Sequence, residues 1–173
     1  MSEGLTPTQT ITTHSPTGEV KIHSSTPIQF YPINPPENTL FAGSIYTTHT
    51  FPTVLDGDDD IKRHESYVPH GIGVENGTVA VMNKFMPGAV CPAHRTGTID
   101  YGVVVDGELE LLYGDGESKI FKRGDVIVQR ETYHGWRNPS KENETMVFFV
   151  AMAAKPVKVG EEVLGEDLSA FGM

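Results

Sequence analysis

The sequence predicts an all-β domain, a sandwich or closed barrel of short strands, and two observations carry that expectation. From Glu108 to Gln129 strand-prone runs recur at short intervals, separated by Gly/Asp turns at Asp106-Gly107, Gly114-Asp-Gly116 and Arg123-Gly124-Asp125. The composition agrees, because 18 Gly and 12 Pro in 173 residues supply the turns that many short strands need. A chain of this length is expected to form one domain with a single core and no disulfide support.

Composition also narrows the function classes. A formal net charge of −10 argues against a nucleic-acid partner, which needs a basic face to neutralise phosphates. No run reaches the length of an apolar membrane span, and the start Met1-Ser-Glu-Gly-Leu-Thr6 lacks the basic and apolar regions of a signal peptide. A lone cysteine, Cys91, rules out an internal disulfide framework and suits a reducing compartment. A soluble, cytoplasmic protein is the expectation.

Residues 1–24 are rich in Thr, Ser and Gly and read as a flexible arm, with one short edge strand in which Val20 and Ile22 alternate with Lys21 and His23. Three prolines between Thr26 and Pro36 exclude regular helix there. Thr39–His49 reads as a strand, and residues 55–66 as an acidic, solvated loop over a barrel mouth. That loop lacks the ligand spacing of a calcium-binding EF-hand. Strands are expected over Thr78–Met86, Asp100–Val105, Glu108–Tyr113, Ser118–Phe121, Val126–Gln129 and Thr145–Ala153. Past Pro156, residues 157–173 form a tail in which Glu161–Leu168 is expected to make a short helix. The intervening residues 25–156 are the barrel.

Two stretches inside that barrel each carry a histidine. The first places Gly88, His94, Thr96, Asp100 and Gly107 in series, and the second places Gly124, His134 and Asn138. These resemble the two signature motifs of the cupin superfamily. Thr96 stands where the family has a second histidine, Asp100 where it has Glu, and Arg130 and Glu131 where it has Pro and Gly. His134 is one residue closer to Gly124 than in the family pattern. The chain also resembles a subset of small single-domain cupins with His-Arg-Thr-x-x-x-Asp-Tyr followed by Gln-Arg-x-Thr-x-His-x-Trp-Arg-Asn. The resemblance implies a jelly-roll barrel, the double-stranded β-helix, whose interior holds a metal, usually Fe, Mn, Ni or Zn.

Carried over position by position, the resemblance makes His94, Asp100 and His134 the candidate metal ligands and the candidate catalytic residues. Two imidazoles and one carboxylate would suit Fe(II) with open positions. The competing reading is a metal-free pocket in which the same three groups do acid–base work, since imidazole titrates near neutral pH and a neighbouring carboxylate can fix its tautomer. Thr96, sharing a strand face with His94, could hold a water or a substrate oxygen. Tyr101 or Tyr133 could add a phenol and Gln129 an amide, although Gln129 also suits a plain ladder position. Trp136, two residues beyond His134, suits either a wall for an aromatic or polyketide-like substrate or core packing. His49, His64 and His70 read as surface histidines.

The expectation is a small-molecule enzyme of specialised metabolism, either a mononuclear-metal oxygenase or decarboxylase, or an acid–base lyase or isomerase. The alternative is a non-catalytic ligand-binding or sensor barrel. A homodimer is expected, because exposed sheet edges are commonly covered by a second copy.

Overall fold

The computed structural model describes residues 5–34, 36–67 and 72–172; His70 lies outside them. In chain order the elements are Thr8–His14 (β1), Val20–Pro27 (β2), Tyr31–Pro32 (β3), Leu40–Thr48 (β4), Asp59–Ser66 (α1) and Thr78–Phe85 (β5). Then come Val90–His94 (β6), Thr98–Asp106 (β7), Glu108–Tyr113 (β8), Glu117–Lys122 (β9), Val126–Arg130 (β10) and His134–Arg137 (β11). Thr145–Ala153 (β12), Lys158–Val159 (β13) and Glu162–Val163 (β14) complete the strands. Two antiparallel sheets form the barrel, one ordered β10-β7-β12-β5-β4-β3 and the other β6-β11-β8-β9. This is the expected all-β jelly roll.

Period-2 alternation decides what faces inward. Along β7, Thr98, Asp100, Gly102 and Val104 are buried while Tyr101 is exposed. At one end of the interior Leu40, Val104, Leu109, Val147, Phe149 and Trp136 pack as an apolar core. At the other end the buried side chains are polar: His94, Thr96, Thr98, Asp100, Gln129, Glu131 and His134. Leu109 and Val147 are both 0% exposed, each contributing on the order of 1.5–3 kcal/mol by burial.

Backbone constraints hold the two signature stretches in place. Gly107 turns β7 into β8 at φ 75°, and a Cβ there would meet the Thr145 hydroxyl at 2.7 Å, so only glycine fits. Asn138, 0% exposed, ties the end of β11 to the end of β5. Its Nδ2 donates to the carbonyls of Phe85, Met86 and Asn143 at 3.1, 3.1 and 2.9 Å, and its Oδ1 accepts from the Ser140 amide at 2.9 Å.

Three expectations need correction. The N-terminal arm contains a β1–β2 hairpin, which its β-branched Thr and Ile residues favour. It is fastened to the body where the Gln9 amide donates to the Ile45 carbonyl and the Thr13 hydroxyl donates to Asp58. The acidic stretch is α1 and the short 3-10 turn before it. Asp59 and Asp60 in the first turn and Arg63 and His64 in the last match the helix dipole, Lys62 pairs with Asp59 at 2.8 Å, and Ile61 is buried. The helix expected over Glu161–Leu168 is absent. That stretch holds β14, paired with β13, and the one helical turn in the tail is a 3-10 turn at Ser169–Phe171.

Asn138→Ala removes the fully buried side chain that serves the Phe85, Met86 and Asn143 carbonyls and the Ser140 amide at once. It should lower unfolding stability by about 3 kcal/mol or more, read by chemical denaturation.

Candidate functional site

The site begins with backbone register. Strands β6 and β11 are antiparallel neighbours in the smaller sheet, and His94 and His134 are Cα partners across them. Directly opposed side chains leave the same sheet face, so the two rings meet, with centroids 4.6 Å apart. Each ring is anchored in the same way. Nδ1–H of His94 donates to the Pro92 carbonyl at 2.8 Å, and Nδ1–H of His134 donates to the Thr132 carbonyl, also at 2.8 Å. A carbonyl can only accept, so both Nδ1 atoms carry the proton and each Nε2 keeps its lone pair.

Burial keeps the pair neutral. The rings are 6% and 4% exposed. Desolvation lowers the pKa of His94 against the opposing bond to the Pro92 carbonyl. It pushes His134 down to about 4, with the neighbouring His94 adding to the fall.

Aromatic rings continue on both sides of the pair. Trp136 stands edge-on to His134 at 5.2 Å and reaches Phe149 at 5.9 Å. Phe149 lies against Gly102, where a Cβ would run into its ring. Trp136 thus packs into the core and touches His134 as well. On the other side Phe171, from the C-terminal 3-10 turn, stands edge-on to His94 at 5.1 Å.

Asp100 is buried but stands apart from the pair, in the larger sheet opposite Gln129 and Ala151. Desolvation raises its pKa, opposed by the hydroxyls of Thr98 and Thr96. Thr98 donates to the Thr96 hydroxyl at 2.8 Å, and Thr96 faces Asp100 Oδ2 at 3.5 Å. Asp100 Oδ1 is buried without a partner. Gln129 is buried and donates to the Thr132 hydroxyl, beside the carbonyl that anchors His134. Tyr101 lies on the outer face, 46% exposed, and does not join the site. Tyr133 is half exposed, lies beneath the Arg95 guanidinium, and lines a cavity of about 270 Å³ with His134, Ala93, Leu112 and Tyr113.

As donors, the two Nε2 atoms suit a metal, since metal-bound histidines commonly give the other ring N–H to a carbonyl. The expected third ligand does not come to them. Among the described residues no three His, Cys, Asp or Glu side chains converge to hold a metal ion. Asp100, one methylene shorter than Glu and engaged by threonine hydroxyls, stays in the opposite sheet. The Cys91 thiol is pushed up to about 12 by burial and behaves as a core residue. Away from the barrel interior, His64 and His49 both contact the Thr47 hydroxyl at 3.3 Å, and His64 is half-buried on the inner side of α1, so neither is a plain surface histidine.

Three residues here escaped the sequence reading. Phe171 was signalled only by its spacing from Leu168 near the end of the tail. Thr98 sits midway between two residues already singled out and shares their face. Glu131 is buried, and its carboxylate accepts the Val157 amide at 2.6 Å.

The pattern of the family described as "Cupin domain" matches residues 81–151. Oryzines biosynthesis cluster protein J of Aspergillus oryzae is 40% identical over 164 residues, 91% of this chain and 89% of its own. A cupin-domain-containing oxidoreductase of Hypocrea virens is 36% identical over 123 residues, 69% of this chain and 62% of its own. Among solved structures, the polyketide cyclase RemF from Streptomyces resistomycificus superposes with a TM-score of 0.50 at 15% identity, covering 81% of this chain and 78% of its own. At that identity the likeness concerns the fold alone.

The lowered His134 pKa makes stability depend on pH. The unfolded histidine takes a proton below about pH 6.5 and the folded one resists it, so stability is full above that value and falls as pH drops toward 4. Chelator-treated protein should lose roughly 2 kcal/mol between about pH 7.5 and about pH 5 through this group, and His134→Asn should remove that part of the slope. Asp100, raised by burial, works in the opposite direction, adding stability as pH falls through its folded pKa.

Proposed function

Because the chain belongs to the cupin family, we propose that it is a small-molecule enzyme of specialised metabolism whose His94–His134 pair performs acid–base chemistry on a hydroxylated aromatic or polyketide-like substrate. The observation that carries this reading is the facing pair of neutral imidazoles, each with Nδ1–H held by the backbone and Nε2 left as a base. Nε2 of His94 takes a proton from a carbon or hydroxyl of the substrate. Neutral His134 beside it accepts a substrate hydroxyl hydrogen bond and disfavours a second positive charge. Return of the proton to another atom of the substrate completes an isomerisation, and loss of a hydroxyl as water completes a dehydration or cyclisation. The relative's place in a biosynthesis cluster supports specialised metabolism as the setting.

A second reading is favoured by one observation, the Nδ1–H anchoring that metal-bound histidines also show. In it His94 and His134 hold one divalent ion of Fe, Mn, Ni or Zn, which supplies oxygenase or decarboxylase chemistry. The relative named as an oxidoreductase supports this reading.

The test is turnover of a panel of hydroxylated aromatic and polyketide-like compounds, with elemental analysis of protein purified without chelators. His94→Ala and His134→Ala should each lower turnover about 100-fold or more, while Tyr101→Phe stays within about twofold. Activity that survives chelation supports the acid–base reading. Activity that is lost on chelation and restored by one metal supports the second, and turnover unchanged in His94→Ala sinks both.

A further inference from the structure

We propose that the C-terminal segment Leu164–Gly172 is a displaceable lid over His94, with Phe171 as the gating residue that sets the room available to substrate there. The inference rests on the pair being a working site, and it goes beyond that reading by naming the route to it.

The segment leaves the β13–β14 hairpin and crosses the barrel at the residue after His94. The Arg95 amide donates to the Asp167 carbonyl at 2.9 Å, and the Asp167 amide donates back to the Arg95 carbonyl at 2.8 Å. Two further bonds reinforce this crossing: Arg95 Nη1 to the Gly165 carbonyl and the Gly97 amide to the Glu166 carboxylate, each 3.2 Å. Beyond it Leu168 is buried, Asp167 accepts from the Ser169 amide and hydroxyl, and the turn ends at Gly172 with φ 72°. That short turn sets the Phe171 ring edge-on against His94.

Two features make the segment a lid and not part of the wall. Its hold is narrow: the paired strands β13 and β14 leading into it are exposed at every residue, and its apolar anchors are Leu168, which is buried, and Phe171, partly buried against the core. Segments with few buried contacts are the ones that open locally. What it covers is also specific. His94 has His134 at 4.6 Å and Phe171 edge-on at 5.1 Å, so Phe171 fills space beside the imidazole that a substrate ring would need. An aromatic substrate ring is the natural replacement, since the edge-on contact with an imidazole is what Phe171 itself supplies.

Position 97 offers a direct test. A Cβ built on Gly97 falls 3.9 Å from the Glu166 Cβ, within the disulfide range of about 3.5–4.5 Å. In full-length Gly97→Cys/Glu166→Cys, histidine acylation by diethyl pyrocarbonate is followed peptide by peptide in the oxidised and reduced protein. The lid predicts that oxidation slows labelling of His94 about tenfold or more and that reductant restores it. Equal His94 labelling in both redox states would overturn it. If the cysteines do not pair, Phe171→Ala decides by the same readout: His94 labelling should rise severalfold above wild type, and an unchanged rate overturns the proposal. Labelling does not depend on turnover, so the lid can fail while the acid–base reading stands, and the reverse.

Discussion

The arrangement depends on one cross-strand pairing, His94 of β6 opposite His134 of β11. Register alone brings the two imidazoles together, and a slip of one residue on either strand would turn one of them out of the barrel. Each histidine then uses the carbonyl two residues before it to hold its Nδ1–H, so the tautomer is set by local backbone and does not need a carboxylate partner. This explains how the pair stays assembled with threonine and a short, distant aspartate at two of the family's ligand positions.

The rest of the barrel serves that pairing from both ends. At the apolar end Gly102 makes room for Phe149, which supports Trp136, which in turn braces His134. At the polar end Thr98 and Asp100 of β7 are joined by Thr96 of the β6–β7 link, and Gln129 reaches Thr132 next to the His134 anchor. Asn138 secures the exit of β11 by serving four backbone groups. Desolvation by this packing is the main reason that both imidazoles stay neutral.

Much of this was legible in the sequence. Strands β5, β7, β8, β9, β10 and β12 follow from alternation and Gly/Asp turns, whereas the short β6 and β11 that carry the histidines were not among the strands expected, and the histidines themselves came from motif spacing. Tyr101, expected as a pocket phenol, instead faces outward, because period 2 puts it on the face opposite Asp100. Other features depend on long-range contacts that no local pattern reveals. The β1–β2 hairpin has little apolar periodicity, and β2 is mostly exposed. Helix α1 is set by end charges and one buried side chain, Ile61, in a stretch whose acidity resembles a loop. Separation of Asp100 from the histidines is a sheet-to-sheet matter, invisible to spacing along one chain. The place of Phe171 follows from the Arg95–Asp167 crossing, a pairing across 72 positions of sequence.

The central claim is that His94 and His134 are neutral, Nδ1-protonated imidazoles at physiological pH. Nitrogen-15 NMR of the side chains, titrated through neutral and mildly acidic pH, reads it directly. The account predicts an unprotonated Nε2 signal for both residues near pH 7, with His134 holding that state until pH approaches 4. An imidazolium at either residue near neutral pH, or a proton on Nε2 in place of Nδ1, would contradict it.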